Sequence, residues 1–210
     1  MAKIYLIPTT LGESRLETVL PPDHKNIIAS LSYFIVENIR TTRRFLKLVD
    51  KDINIDQLTF FELNEHTKAE DLHRYLEPLK DGHDIGIISE AGCPGIADPG
   101  ADIVRIAHEK NIRVVPLVGP SSILLSLMAS GLNGQNFAFS GYLPIKEPAK
   151  SKTIKMLESR VYTENQSQLF IEAPYRNLQL FADLIHTCDP RTLLCVAADI
   201  TLETEFIMTK

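Results

Sequence analysis

The stretch SEAGCPGIADPGADIV, Ser89 to Val104, carries Gly92, Gly95 and Gly100, Pro94 and Pro99, and the acids Glu90, Asp98 and Asp102. Where side chains are absent, backbone N–H and C=O groups can approach a ligand closely. The stretch follows the apolar run IGIIS and leads into a helical pattern near Ala101, so it is either a rigid strand-to-helix connection or a loop that wraps a ligand. Its length exceeds that of an ordinary connection of this kind, which favours a site. A second such place is GPSSILLSL, Gly119 to Leu127, where the hydroxyls of Ser121 and Ser122 either cap a helix or meet an anion or carboxylate. Neither loop has the GxGxxG or GxxxxGK[ST] spacing of a dinucleotide or nucleoside triphosphate site. A third segment, VENIRTTRRFLK, brings Glu37 together with Arg40, Arg43, Arg44 and Lys47. The four cations recur at three- and four-residue steps and share a helix face, as a solvated surface or as a phosphate contact. The segment AKSKTIKMLESR is a second basic run, a linker and surface helix or another such contact.

The elements that must position these residues alternate along the chain. Strands are expected at KIYLIP (3 to 8), YFIVEN (33 to 38), LTFFEL (58 to 63), IGIIS (85 to 89) and RVVPLVG (113 to 119). Amphipathic helices separate them. The clearest spans Thr67 to Leu79: Thr67 and Glu70 form a capping box, Leu72, Tyr75, Leu76 and Leu79 make one stripe, and Asp81-Gly82 ends the run. This order predicts an α/β fold with a mostly parallel five-stranded sheet covered on both faces, whose ligands bind beyond the carboxyl ends of the strands. The three candidate segments all begin at such ends.

After Gly131 the pattern becomes linker-like, and a domain boundary is expected near Asn133, giving an N-terminal domain over 1–132 and a C-terminal α/β domain over 133–210. The second domain is expected to contain the strand FAFSGYL, a helix from about Ser151 to Arg160, the strand SQLFIEA, a helix from Tyr175 to Cys188, the strand TLLCVAA and a final run TEFIMTK.

Composition bounds the function. With 44% hydrophobic and 23% charged residues among 210, the chain is that of a globular protein. No apolar run reaches membrane-spanning length and no signal peptide is legible, so a cytoplasmic protein without membrane association is expected. Cys93, Cys188 and Cys195 fit neither a metal motif nor a disulfide framework, and the six histidines lack ligand spacing, so no metal is expected. A net charge of -5 gives no global attraction to nucleic acid, which leaves local basic patches as the route to it.

The motifs IPTTLG, ENIRTTR, SEAGCPGIADPG, PLVGPSS, GYLP, EAPYR and CVAADIT stand in an order that resembles the tetrapyrrole methylase superfamily, in particular its branch of 16S ribosomal RNA 2'-O-ribose methyltransferases. The resemblance runs over essentially the whole chain and is most specific at AGCPGIADPG and PLVGPSS. It implies a two-domain α/β methyltransferase, a homodimer, that holds S-adenosylmethionine in the cleft between its domains and acts on ribosomal RNA or the small ribosomal subunit. By matching position, Gly92, Cys93, Gly95 and Ile96 would line the cofactor with backbone groups, Ser121 and Ser122 would lie against it, and Pro8, Leu143 and Ala197 would complete the cleft. Glu37 would position the acceptor or take its proton, Arg40 would act beside it, and Arg43, Arg44 and Lys47 would meet RNA phosphates. Glu90 and Asp98 are expected to shape the loop and cap the helix after it.

The chain also departs from that branch. Glu-Asp-Thr-Arg becomes Glu37-Asn38-Ile39-Arg40, Gly-Asn becomes Gly12-Glu13, and Arg-Glu-Leu-Thr-Lys becomes Ala198-Asp199-Ile200-Thr201-Leu202, with two cations fewer. The chain ends sooner than the branch's second domain does, so an edge strand is expected to be missing or disordered. Two other readings follow: methylation of a small tetrapyrrole-like molecule, and a non-catalytic cofactor-binding or RNA-associated relative, motivated by Asn38 and Ala198.

Overall fold

A computed structural model describes residues 2–64 and 66–210. The elements, in chain order, are β1 (Lys3–Ile7), α1 (Leu16–Val19), α2 (His24–Ala29), β2 (Tyr33–Val36), α3 (Ile39–Val49), β3 (Thr59–Glu62), α4 (Ala69–Tyr75), β4 (Ile85–Ile88), α5 (Gly100–Glu109), β5 (Arg113–Pro116), α6 (Ser122–Ser130), β6 (Phe137–Tyr142), α7 (Ala149–Glu164), β7 (Ser167–Ile171), α8 (Asn177–Thr187), β8 (Cys195–Ala198) and β9 (Phe206–Thr209). They fall into two compact units, Met1–Ser121 and Ser122–Lys210.

In the first unit β1 to β5 form one sheet in the order β3-β2-β4-β1-β5, every neighbouring pair parallel. Period-two alternation divides its apolar side chains between two cores. Ile4, Ile35, Ile85 and Ile87 pack with Leu72, Tyr75, Leu76, Ile103 and Ile106, so α4 and α5 cover one face. Ile7, Phe34, Val36 and Ile88 pack with Ile28, Phe45 and Leu46, so α2 and α3 cover the other. All four residues of β4 are buried, which explains the unbroken apolar run IGII in a strand covered on both sides. Gly86 belongs to that packing: a Cβ there would lie 2.7 Å from Ile7 Cδ1 and 3.0 Å from the Phe34 ring.

The second unit holds a parallel pair, β6 and β7, and an antiparallel pair, β8 and β9. Its core is Leu143, Ile154, Leu157, Leu180 and Leu184, from α7, α8 and the residue after β6. The Thr209 hydroxyl donates to Ser130 O at 2.7 Å and ties β9 to the end of α6.

One expected feature is corrected. Thr67 does not cap α4: its hydroxyl accepts the Asn64 N–H at 2.9 Å and donates to Glu62 O, and the N-cap residue, Lys68, makes no side-chain capping bond. The turn that leaves β3 competes for the same hydroxyl and wins, because Thr67 N also donates to Asn64 O within it. The helix is shorter than expected as well. It ends at Tyr75, and a 3-10 turn over Glu77–Asp81 follows, because Pro78 lacks the N–H that would continue the α pattern. The buried stripe of Leu72, Tyr75 and Leu76 survives that change.

Candidate active site

Sheet order brings three loops together. β1 lies between β4 and β5, with Ile7 opposite Ile88 and Leu6 opposite Pro116, so the chain leaves these three parallel strands at the same edge of the sheet. The loops interlock through one backbone hydrogen bond, one thiol contact and one close packing of proline on glycine. Thr9 N donates to Gly92 O at 2.9 Å, joining the first loop to the glycine loop. The Cys93 thiol reaches Pro120 O at 3.3 Å, joining the glycine loop to the third. Pro8 packs against Gly119 so closely that a Cβ there would stand 2.2 Å from Pro8 Cγ. Gly92 has φ +71° and its Cβ would meet Leu11 at 3.1 Å and Pro120 O at 3.2 Å, so the turn and the close approach both require glycine.

Within the glycine loop Asp98 is the organiser. Its Oδ1 accepts the N–H of Gly95 at 2.8 Å and of Gly100, the first residue of α5, at 2.7 Å. Burial pushes its carboxyl above the ordinary range, against the pull of those two N–H groups. Glu90 turns instead to α3, where its carboxylate accepts the Thr41 hydroxyl. Asp98 thus shapes the loop and meets the start of α5 as expected, whereas Glu90 bridges to a different helix.

The acidic rim continues at the end of β2. Glu37 accepts the Glu90 N–H at 3.1 Å. Burial pushes the Glu37 carboxyl up, the charges of Asp98 and Glu90 add to that, and the Glu90 N–H opposes it. A carboxylate raised in this way is a better proton acceptor than an ordinary one. Asn38 follows and caps α3, its Oδ1 accepting Arg40 N at 2.9 Å and Thr41 N at 3.3 Å. Asn and Asp are near-equivalent caps, so the departure from Glu-Asp-Thr-Arg keeps the helix start intact.

Arg40, Arg43, Arg44 and Lys47 are all exposed on α3. Arg43 pairs with Asp56 at 2.9 Å across a solvated contact worth about 0–1 kcal/mol, which leaves its charge available. Lys47 Nζ donates to Lys51 O. Among the described residues Arg40 and Arg44 have no ion-pair partner.

The remaining expected residues are distributed as follows. Pro8 is fully buried beneath Gly119, Cys93 is half-buried and Ile96 is exposed. Ser121 closes the third loop, while Ser122, Leu143 and Ala197 belong to the second unit. Ser122 is exposed at the first position of α6, Leu143 is buried in the second unit's core, and Ala197 sits on β8 opposite Ile207. Sequence reasoning missed Thr9, whose N–H joins two loops and whose buried hydroxyl has no hydrogen-bond partner among the described residues.

The described residues hold no His, Cys, Asp or Glu group arranged for a metal, and no helix long and apolar enough to cross a membrane.

No family model matches the chain. The ribosomal RNA small subunit methyltransferase I of Buchnera aphidicola is 30% identical over 207 residues, 97% of this chain and 67% of that protein. The Vibrio cholerae protein of the same name is 30% identical over 204 residues, with the same two shares. The chain belongs to the ribosomal RNA small subunit methyltransferase I family. It spans about two thirds of the length of these family members. The Bacillus subtilis member is 32% identical over 176 residues, 84% of this chain and 56% of its own. The fold is shared with the crystal structure of the methyltransferase CobJ, at a TM-score of 0.66 and 15% identity over all of this chain and 86% of that one. The family's fold is therefore the one expected for a tetrapyrrole methylase, and the protein is a methyltransferase.

Proposed function

We propose that the protein transfers a methyl group from S-adenosylmethionine to a ribose 2'-hydroxyl of small-subunit ribosomal RNA, as a cytoplasmic homodimer. The observation that carries the reading is the interlock of the loops after β1, β4 and β5, found in a chain 30% identical to named ribosomal RNA methyltransferases. The names of those relatives favour RNA over a small-molecule acceptor.

The cradle suits the cofactor. Gly92, Cys93, Gly95 and Ile96 would present backbone groups to it, with Ser121 beside them, and the buried unpartnered Thr9 hydroxyl offers one further polar contact. The bound cofactor supplies an electrophilic methyl group and its own leaving group. What remains for the protein is alignment of the acceptor and removal of its proton. Glu37 takes that proton: its carboxylate stands at the strand-end rim, raised by burial and held by the Glu90 N–H. Arg40, Arg43, Arg44 and Lys47 hold phosphates on either side of the target, each contact adding to salt dependence. Ser122, Leu143 and Ala197 stay assigned to the cofactor by resemblance.

Calorimetry with S-adenosylmethionine tests the reading. Clear binding is expected, abolished by Gly92→Leu, and radiolabelled methyl transfer to undermethylated small subunits should require Glu37. Absence of binding by the unmodified protein would refute it.

A further inference from the structure

The second unit carries its own strand-end feature. β6 and β7 run parallel with Tyr142 opposite Ile171, so the last residue of β6 and the segment after β7, Glu172 to Arg176, emerge at the same end of the pair. Three side chains gather there. The Arg176 guanidinium lies 5.2 Å from the Tyr175 ring centre and 5.9 Å from that of Tyr142. Its position is fixed from behind: Nε and Nη2 both donate to Glu172 Oε1, at 2.8 and 2.6 Å, and that carboxylate also accepts Ala173 N at 2.7 Å.

The two rings, by contrast, face solvent. Tyr175 is 83% exposed and Tyr142 is 60% exposed. A lone exposed tyrosine is ordinary; two of them around one pinned guanidinium make an exposed aromatic surface. The cation is already neutralised by Glu172, so the arrangement is poorly suited to a bare anion and well suited to a π-face. α8 begins at Asn177, directly after Arg176, and no side chain caps it, so the positive end of its dipole adjoins the rings. Lys146, four residues after Tyr142, is exposed and has no ion-pair partner among the described residues. An exposed aromatic surface adjoining the positive end of a helix matches a nucleobase and its phosphate.

We propose that Tyr142, Tyr175 and Arg176 form a stacking platform for unpaired bases of the RNA substrate. The assignment rests on the RNA reading above and adds what that reading lacks, a surface that selects single-stranded RNA. The α3 cations meet phosphates in any RNA, whereas stacking needs bases free of a duplex. Arg176 acts as a positioning residue that holds the two rings.

The test uses the full chain and a short labelled oligoribonucleotide, single-stranded or annealed to its complement, followed by fluorescence anisotropy. The double variant Tyr142→Ala/Tyr175→Ala should bind the single strand about tenfold or more weakly, since each lost stack is large on that scale. Duplex binding and the S-adenosylmethionine Kd should stay as in the unmodified protein, and Tyr175→Trp should retain single-strand affinity. Equal losses on both RNA forms, no loss on the single strand, or no single-strand binding by the unmodified protein would each overturn the platform. A weakened cofactor Kd in the double variant would overturn it too, by assigning the rings to the cofactor. Failure of the function reading looks different. Absence of methyl transfer to small subunits, with the single-strand effect intact, refutes the reaction and keeps the platform. Methyl transfer whose KM for RNA ignores both tyrosines does the reverse.

Discussion

The loops after β1, β4 and β5 stand on a sheet whose central residues Ile4, Ile7 and Ile85 are shut off from solvent, whereas the loops after β6 and β7 stand on a two-stranded pair that ends in an exposed tyrosine. The first set is joined by a backbone hydrogen bond, a thiol on a carbonyl and a proline against a glycine. The second presents side chains held by one carboxylate. A site that must hold one ligand in one pose gains from packing that leaves no freedom. A surface that meets a polymer of varying sequence gains from flat, tolerant contacts instead.

The contrast can be broken most severely in the first unit's core. Phe34→Ala should cost about 3–5 kcal/mol, measured by denaturant unfolding, because its ring is buried among Ile7, Leu31 and Phe60 side chains. The matching change in the second unit, Phe206→Ala, removes a side chain already 47% exposed and should cost far less. Comparable losses at both positions would erase the distinction. Next comes the loop interlock. Gly119→Ala forces a Cβ into Pro8 and should destabilise by about 1–3 kcal/mol while weakening S-adenosylmethionine in calorimetry. A variant that binds as tightly as the original would show that the interlock does not shape the cradle.

Asn38 gives a smaller and sharper test. Asn38→Ala should lower stability by about 1 kcal/mol and Asn38→Asp should leave it nearly unchanged, since both Asn and Asp accept the α3 N–H groups. If Asn38→Asp instead raises methyl transfer strongly, the missing carboxylate had a chemical role. The smallest effect is a pH shift. Glu37 is raised from the ordinary 4.5, so its base form fills only as pH climbs past that higher value, and kcat/KM should rise across the same window. Asp98→Asn removes a like charge and keeps an oxygen for Gly95 and Gly100, so this limb should move to lower pH. An unmoved limb would assign the proton acceptor to another group.

Much of the first unit was legible because its signals are local. Each expected strand appears, trimmed by one to three residues, because alternation and β-branched runs report burial directly. Gly92 was legible as a close-approach position, and the α3 cations as one face. The Thr67 hydroxyl has two possible roles close in sequence, and how the chain leaves β3 decides between them. Thr9 carries no local signal, because its partner Gly92 lies far along the chain. The tyrosine platform was invisible for the same reason: Tyr142 and Tyr175 belong to separate motifs that only strand pairing brings together.

What the sequence determined by itself was the element order, the parallel α/β class, the glycine-rich strand-end loops and the family, all of which rest on periodicity, turn chemistry or motif order. Only the tertiary structure decided that β1 lies between β4 and β5 and so makes three loops neighbours. It also decided that Asp98 serves the loop backbone while Glu37 occupies the rim, and that Arg176 lies close to two exposed rings. Strand order and side-chain partnership are long-range pairings, set by which surfaces bury best together, and no local stretch of residues records them.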